Sequence, residues 1–197
     1  MLACKRLVSA GAFSPSEPSA IIAAAYNELL ENKNPILGSS TACVVVLQGS
    51  FGKLFSANIG DSGFLVIRNG SVVHRSHEQQ HYFNTPFQLS LPPAGVSSQV
   101  LNDRPESAST QSFDIKVGDM VLLATDGVFD NLPDSLILGE LVNVAGTTDS
   151  SLLQKAANAI AKKAQIMAFD EQYMSPFAQS ARKNGIDAVG KDCKKYI

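Results

Sequence analysis

The chain has 197 residues, 16 basic and 18 acidic side chains for a net charge of −2, and an apolar fraction of 45%. A single domain's length with that apolar content excludes a disordered chain and allows a core without disulfide or metal support. The near-neutral charge argues against the basic footprint of a nucleic-acid binder, and no apolar run reaches the roughly 18 residues of a membrane span. Cys4, Cys43 and Cys193 are odd in number and far apart, so neither a disulfide framework nor a C-x-x-C metal knuckle is expected, which fits a reducing compartment.

The first 16 residues hold Lys5 and Arg6 and no acid, a faint transit-peptide pattern; the plainer reading is a helix Leu2–Ser9 closed by Gly11. Residues 16–32 read as a second helix, with Ser16 as its cap, Pro18 in its first turn, and Ile21, Ile22, Ala25, Leu29 and Leu30 on its inner face. Asn32, Asn34, Pro35 and Gly38 end it. From Thr41 to Leu47 a β-branched run predicts a buried strand. Lys53–Ala57, Phe64–Arg68 and Ser71–Arg75 then complete an antiparallel meander of four, with Asn69-Gly70 as its strongest hairpin signal.

Residues 83–112, with Pro86, Pro92, Pro93 and Pro105, read mainly as a long loop of the kind that often carries function. Phe113–Val117 and Met120–Thr125, joined by Gly118-Asp119, predict another hairpin ending on Asp126-Gly127. Helices Ser135–Val144 and Ser150–Phe169 follow, the latter with Leu152, Leu153, Ala156, Ala157, Ile160 and Ala164 inward. The tail from Glu171 is mixed and ends in the basic run 191–195. Strands in hairpins flanked by helices predict the α+β class.

Two constellations bear chemistry. His77-Glu78-Gln79-Gln80-His81 matches H-E-x-x-H, which on a helix presents two imidazoles to zinc with the glutamate as base. It follows a strand here, and Asn84, Thr85 and Pro86 break any helix, so a polar strand end or loop is the expectation. The second constellation is acidic. Asp61 lies in the sharp Gly60–Gly63 turn, and Asp126 ends an apolar strand. Asp130, four residues on, would share one side of a helical turn with Asp126. Carboxylates of this kind suit Mg²⁺ or Mn²⁺.

Gly38-Ser39-Ser40-Thr41-Ala42, Ala57-Asn58-Ile59-Gly60-Asp61-Ser62-Gly63 and Leu123-Ala124-Thr125-Asp126-Gly127-Val128-Phe129-Asp130 stand in the order found in metal-dependent (PP2C-type, or PPM) protein serine/threonine phosphatases, which the chain resembles up to about Gly185. Gln79–Leu89 and Tyr173–Ala178 resemble the mitochondrial branch of that family. The resemblance implies an α-β-β-α sandwich of two antiparallel sheets, a dinuclear Mn²⁺/Mg²⁺ site, and phosphorylated proteins as substrates. It makes Asp126 the core metal ligand, Asp61 and Asp130 members of an accessory metal site, and Ser39 and Thr41 supports of the site. Asp192 would stand near the last ligand.

It also implies a single domain over 1–197 that is short at both ends. The family's Asp-Gly-x-Gly-Gly motif, its phosphate-binding arginine and its acid histidine would fall before Leu2, and its last strand would fall after Gly190-Lys191-Asp192. The competing expectation is a phosphatase-like binding protein or fragment without turnover.

Overall fold

The computed structural model describes residues 2–32, 38–91 and 101–187. Asn34, Pro35, Pro92, Pro93, Asp192, Cys193 and the basic run 191–195 lie outside the described residues. The chain divides into two compact units, residues 1–63 with 76–116, and residues 64–75 with 117–197.

In the first unit, α1 (Leu2–Ser9) ends as its sequence predicts. Gly11 takes a φ of +64°, which lets Ala12 N–H reach the Leu7 carbonyl and Gly11 N–H the Val8 carbonyl, both at 3.1 Å. It lies against α2 (Pro18–Leu30), with an exposed Arg6–Glu28 pair between them. Pro18 sits in the first turn of α2, but Glu17 takes the cap position predicted for Ser16, whose hydroxyl meets that of Ser14 instead. Ile21, Ile22 and Tyr26 are buried, and the Tyr26 hydroxyl donates to the Ser90 carbonyl at 3.0 Å. Leu29 and Leu30, expected inward, are 42% and 57% exposed. Periodicity sets which face is apolar, but it does not set how far the packing partner extends.

The sheet under α2 has the order β2 (Ala42–Gln48), β3 (Lys53–Ile59), β9 (Ser109–Asp114), all antiparallel. Two short pairs join it in this unit: β1 (Gly38–Ser40) with β8 (Leu89–Leu91), and β6 (Gln80–Tyr82) with β7 (Thr85–Pro86). Ile22 packs with Ala57 and Ile59 of β3, and Val44, Phe87 and Leu89 close the cluster. The segment expected to be mainly loop thus contributes edges and core.

Burial pushes the Cys43 thiol up to about 11. Because only the thiolate attacks an alkylating reagent, native Cys43 is expected to react with iodoacetamide at pH 7.5 about a hundredfold more slowly than in the unfolded chain. Timed mass spectrometry of the labelled peptide measures this, and equal rates in the two states would contradict it.

Lys53 and Asp114 face each other across β3 and β9 at 2.6 Å. The hydrogen bond from the Lys53 ammonium, and its charge, hold the Asp114 carboxyl below the usual carboxylate range. A carboxyl depressed in the folded chain adds stability that is fully present above its unfolded-state pKa and is lost as pH falls through its folded one. Lys53→Met is therefore expected to raise the Asp114 titration midpoint, read by carbon-13 NMR, and to flatten the acid limb of stability.

The second unit is built on β10 (Met120–Ala124), β4 (Gly63–Arg68) and β5 (Ser71–Arg75), in that order. Asn69 and Gly70 both have positive φ, +51° and +73°, as a tight two-residue hairpin requires. Phe64 to Ile67 are at most 1% exposed, the continuous apolar run of a central strand. Arg68 grips Asp119 with two nitrogens at 2.8 and 2.7 Å, fixing the turn before β10.

Two predicted pairings are corrected here. β3 and β4 are not neighbours in a meander, and β9 and β10 do not form a hairpin; each pair is split between the two sheets. The turns at 60–63 and 117–119 carry the chain from one sheet to the other, a task needing the same glycine and aspartate chemistry as a reversal.

After β10 come α3 (Asp126–Phe129), α4 (Asp134–Leu141), α5 (Ser150–Ala168) and α6 (Pro176–Lys183). Leu65 and Ile67 of β4 pack with Leu132, Ile137, Leu141, Ala156, Ile160 and Ala164. The buried row of α5 is Ala156, Ile160, Ala164 and Ala168, whereas Leu152 and Leu153 are 41% and 40% exposed and Ala157 is exposed as well. Ala156, Ile160 and Ala164 of the predicted stripe are thus inward as expected, while Leu152, Leu153 and Ala157 fall off the buried row, which recurs every four residues. α6 falls where no element was expected, although Ser175-Pro176 is a start signal, a capping hydroxyl followed by proline in the first turn.

The predicted α+β class therefore holds, with a helical layer and an antiparallel sheet in each unit. Among the described residues no helix is long and apolar enough to cross a membrane.

Candidate metal site and its supports

Asp61 belongs to the first unit, in the bend that follows β3. The bend depends on Gly60, whose φ is +94° and whose absent Cβ would stand 2.5 Å from Thr41 Cγ2 and 2.6 Å from the Phe87 carbonyl oxygen. Asn58, 2% exposed, donates from Nδ2 to the carbonyls of Gly60 and His77, each at 3.1 Å. Gln79 N–H donates to the same Gly60 carbonyl at 3.0 Å. The hydroxyls of Thr41 and Ser62 meet at 2.8 Å. Thr41 of the Gly-Ser-Ser-Thr-Ala segment thus packs against the Asp61 bend and bonds Ser62 within it. Asn58 and Gln79 are supports that the sequence reading missed.

Asp126 and Asp130 belong to the second unit. Asp126 opens the helical turn α3 at the end of β10, and Asp130 closes it with its N–H donating to the Asp126 carbonyl at 2.8 Å. The expected helical turn is present, and it places the two residues one turn apart. Asn131, 1% exposed, ties the turn from inside through Nδ2 to the Gly127 carbonyl at 3.1 Å. Asp192 lies outside the described residues. Among the described residues no three His, Cys, Asp or Glu side chains within either unit form a group able to hold a metal.

The H-E-x-x-H match is not a zinc helix. His77 and Glu78 lie in an exposed connection, and His81 is in strand β6. His81 Nε2 pairs with Asp103 Oδ2 at 3.0 Å, and its ring stacks on Phe87 with centroids 4.2 Å apart. Asp103 also accepts Gln88 N–H at 2.8 Å, so the pair pins the return of the chain to β8. The strand-end reading is the correct one.

Two antiparallel sheets with helical layers, and acidic turns at their strand ends, define a PP2C-type phosphatase fold. The chain belongs to the family described as Stage II sporulation protein E (SpoIIE), whose model matches residues 1–172. It is 54% identical over 190 residues to a protein phosphatase PTC7 homolog of Danio rerio, a match covering 96% of this chain and 64% of that one. The human PTC7 homolog is matched at the same identity, with 62% of its length covered, so the chain spans under two thirds of these relatives.

Among solved structures, the photosystem II phosphatase PBCP aligns with a TM-score of 0.77 at 27% identity, covering 94% of this chain and 65% of that one. The catalytic domain of the serine/threonine phosphatase PstP, solved in complex with two manganese ions, aligns with a TM-score of 0.51 at 15% identity, covering 74% of this chain and 64% of that one, a likeness of fold.

Proposed function

We propose that the protein is a metal-dependent phosphatase that hydrolyses phosphoserine and phosphothreonine in proteins, with Mn²⁺ or Mg²⁺ held by Asp126 together with Asp61, Asp130 and Asp192. The observation carrying this reading is the Asp126–Asp130 turn at the end of a sheet strand, in a chain 54% identical to proteins named as phosphatases. The manganese in the PstP domain supports the choice of metal.

The donor chemistry fits hard cations. Every candidate ligand is a carboxylate; of the softer donors, His81 is paired with Asp103 and Cys43 is kept protonated by burial. When bound, Mn²⁺ or Mg²⁺ supplies charge neutralisation for the phosphoryl group and an acidified water as nucleophile. The chain contributes orientation. The α3 turn fixes the spacing of Asp126 and Asp130, and the Gly60 bend fixes the backbone that carries Asp61.

Mitochondrial localisation belongs to the same reading and rests on the resemblance of residues 79–89 and 173–178. The test of function is Mn²⁺-dependent release of phosphate from a phosphoserine peptide by the full-length protein. Folded protein that binds the peptide without turnover at saturating Mn²⁺ would favour a binding role instead.

A further inference from the structure

α6 is joined to the candidate metal turn by its own first residues. Ser175, fully buried, caps it by accepting Ala178 N–H at 3.1 Å. The Phe177 N–H does not stay within the helix end; it donates to the Asp130 carbonyl at 3.0 Å. That carbonyl lies past the last residue of α3, where a helix leaves acceptors without internal partners. Ala178 and Ala181 are fully buried, so the helix is firmly seated. From the other side, Asn131 Nδ2 holds the Gly127 carbonyl, while its Oδ1 is buried with no hydrogen-bond partner. An apolar side chain of equal size would avoid the cost of that unsatisfied acceptor but would leave the Gly127 carbonyl without its donor, so the amide is retained to hold this turn.

We propose that α6 is a strut that holds the Asp126–Asp130 turn in its metal-binding geometry, with Ser175 and Asn131 as positioning residues. The proposal rests on the metal-site reading above. Small divalent cations demand close ligand geometry, and carboxylates on a single helical turn keep that geometry only if the turn is prevented from fraying.

Ser175→Ala removes the cap while leaving the fold's other contacts in place. In the full-length protein it is expected to weaken Mn²⁺ binding, titrated by the electron paramagnetic resonance of the free ion, by about fivefold, the equivalent of one cap. Ser175→Thr, which still caps but must fit one more methyl at a buried position, should bind Mn²⁺ more tightly than Ser175→Ala.

Asp149→Ala is the control, because Asp149 caps α5 by accepting Ser151 N–H at 2.8 Å, and its main-chain bonds to Thr147 and Leu153 do not involve the 126–131 turn. It should lower the unfolding midpoint without changing Mn²⁺ affinity. Equal weakening by Ser175→Ala and Asp149→Ala would reduce α6 to a general contributor to stability and overturn the proposal.

A second measurement needs no variant. By reciprocity, Mn²⁺ should slow hydrogen exchange of the Phe177 amide more than that of Ser151, and equal protection would also overturn the strut. Unaltered folded protein that binds no Mn²⁺ would instead overturn the metal-site reading, and the strut's role with it.

Discussion

Asp126→Asn is expected to lower Mn²⁺-dependent phosphate release by the full-length protein roughly a hundred- to a thousandfold. Removing one carboxylate weakens the hold on a cation that supplies several kcal/mol of charge stabilisation, and each 1.36 kcal/mol of barrier is about a factor of ten. The fold should survive, because Asp126 accepts the Asp130 N–H with its main-chain carbonyl, which the variant keeps. Asp130→Asn should act more through the metal requirement, moving the Mn²⁺ dependence to higher concentration. Asp134→Asn is the matched control. Asp134 opens α4 and pairs with Arg75 at an exposed position, where such a pair contributes about 0–1 kcal/mol, so turnover should be unchanged. Full turnover by Asp126→Asn at the same Mn²⁺ concentration would remove Asp126 from the site.

Asp126 stands out as a candidate because aspartate at the end of an apolar strand, followed by glycine, is a local pattern, and so is Asn69-Gly70 in its hairpin. Sheet partnership was not legible. Gly118-Asp119 looks the same whether the chain reverses or passes to another sheet; the strand pairing shows which occurs, and the Arg68–Asp119 grip ties the turn to β4. The supports of the site were hidden for a related reason. Asn58 reads as a turn residue until its amide is seen bonding His77, 19 residues away, and Ser175 reads as tail until its helix meets Asp130. A small polar residue acquires its role from a partner that sequence spacing does not reveal. The α5 face was legible in part: Ala156, Ile160 and Ala164 were expected inward and are, whereas Leu152 and Leu153, inward by hydropathy, lie at the exposed start of the helix.

Gly60→Ala is expected to cost roughly 2–5 kcal/mol of folding stability, the sum of about 1–2 for a left-handed backbone with a Cβ and about 1–3 for the overpacked contact. For a chain of this size that corresponds to a fall of roughly 5–20 °C in melting temperature, a large share of the stability of an ordinary domain. The two contributions separate experimentally. Gly11 has a similar positive φ, +64°, but nothing within 4 Å of its Cβ position, so Gly11→Ala carries the backbone cost alone. The contact part divides again between Thr41 Cγ2 and the Phe87 carbonyl. Thr41→Ser removes the methyl and retains the hydroxyl that meets Ser62, so adding it to Gly60→Ala should recover part of the loss. It should not recover all of it, because the Phe87 carbonyl is backbone and can move only with β8 and the His81–Asp103 pair that pins it. If Gly11→Ala and Gly60→Ala cost the same by denaturant unfolding, the bend carrying Asp61 is not packed as tightly as its distances state. Both the fold of the first unit and the placement of that carboxylate would then need another support.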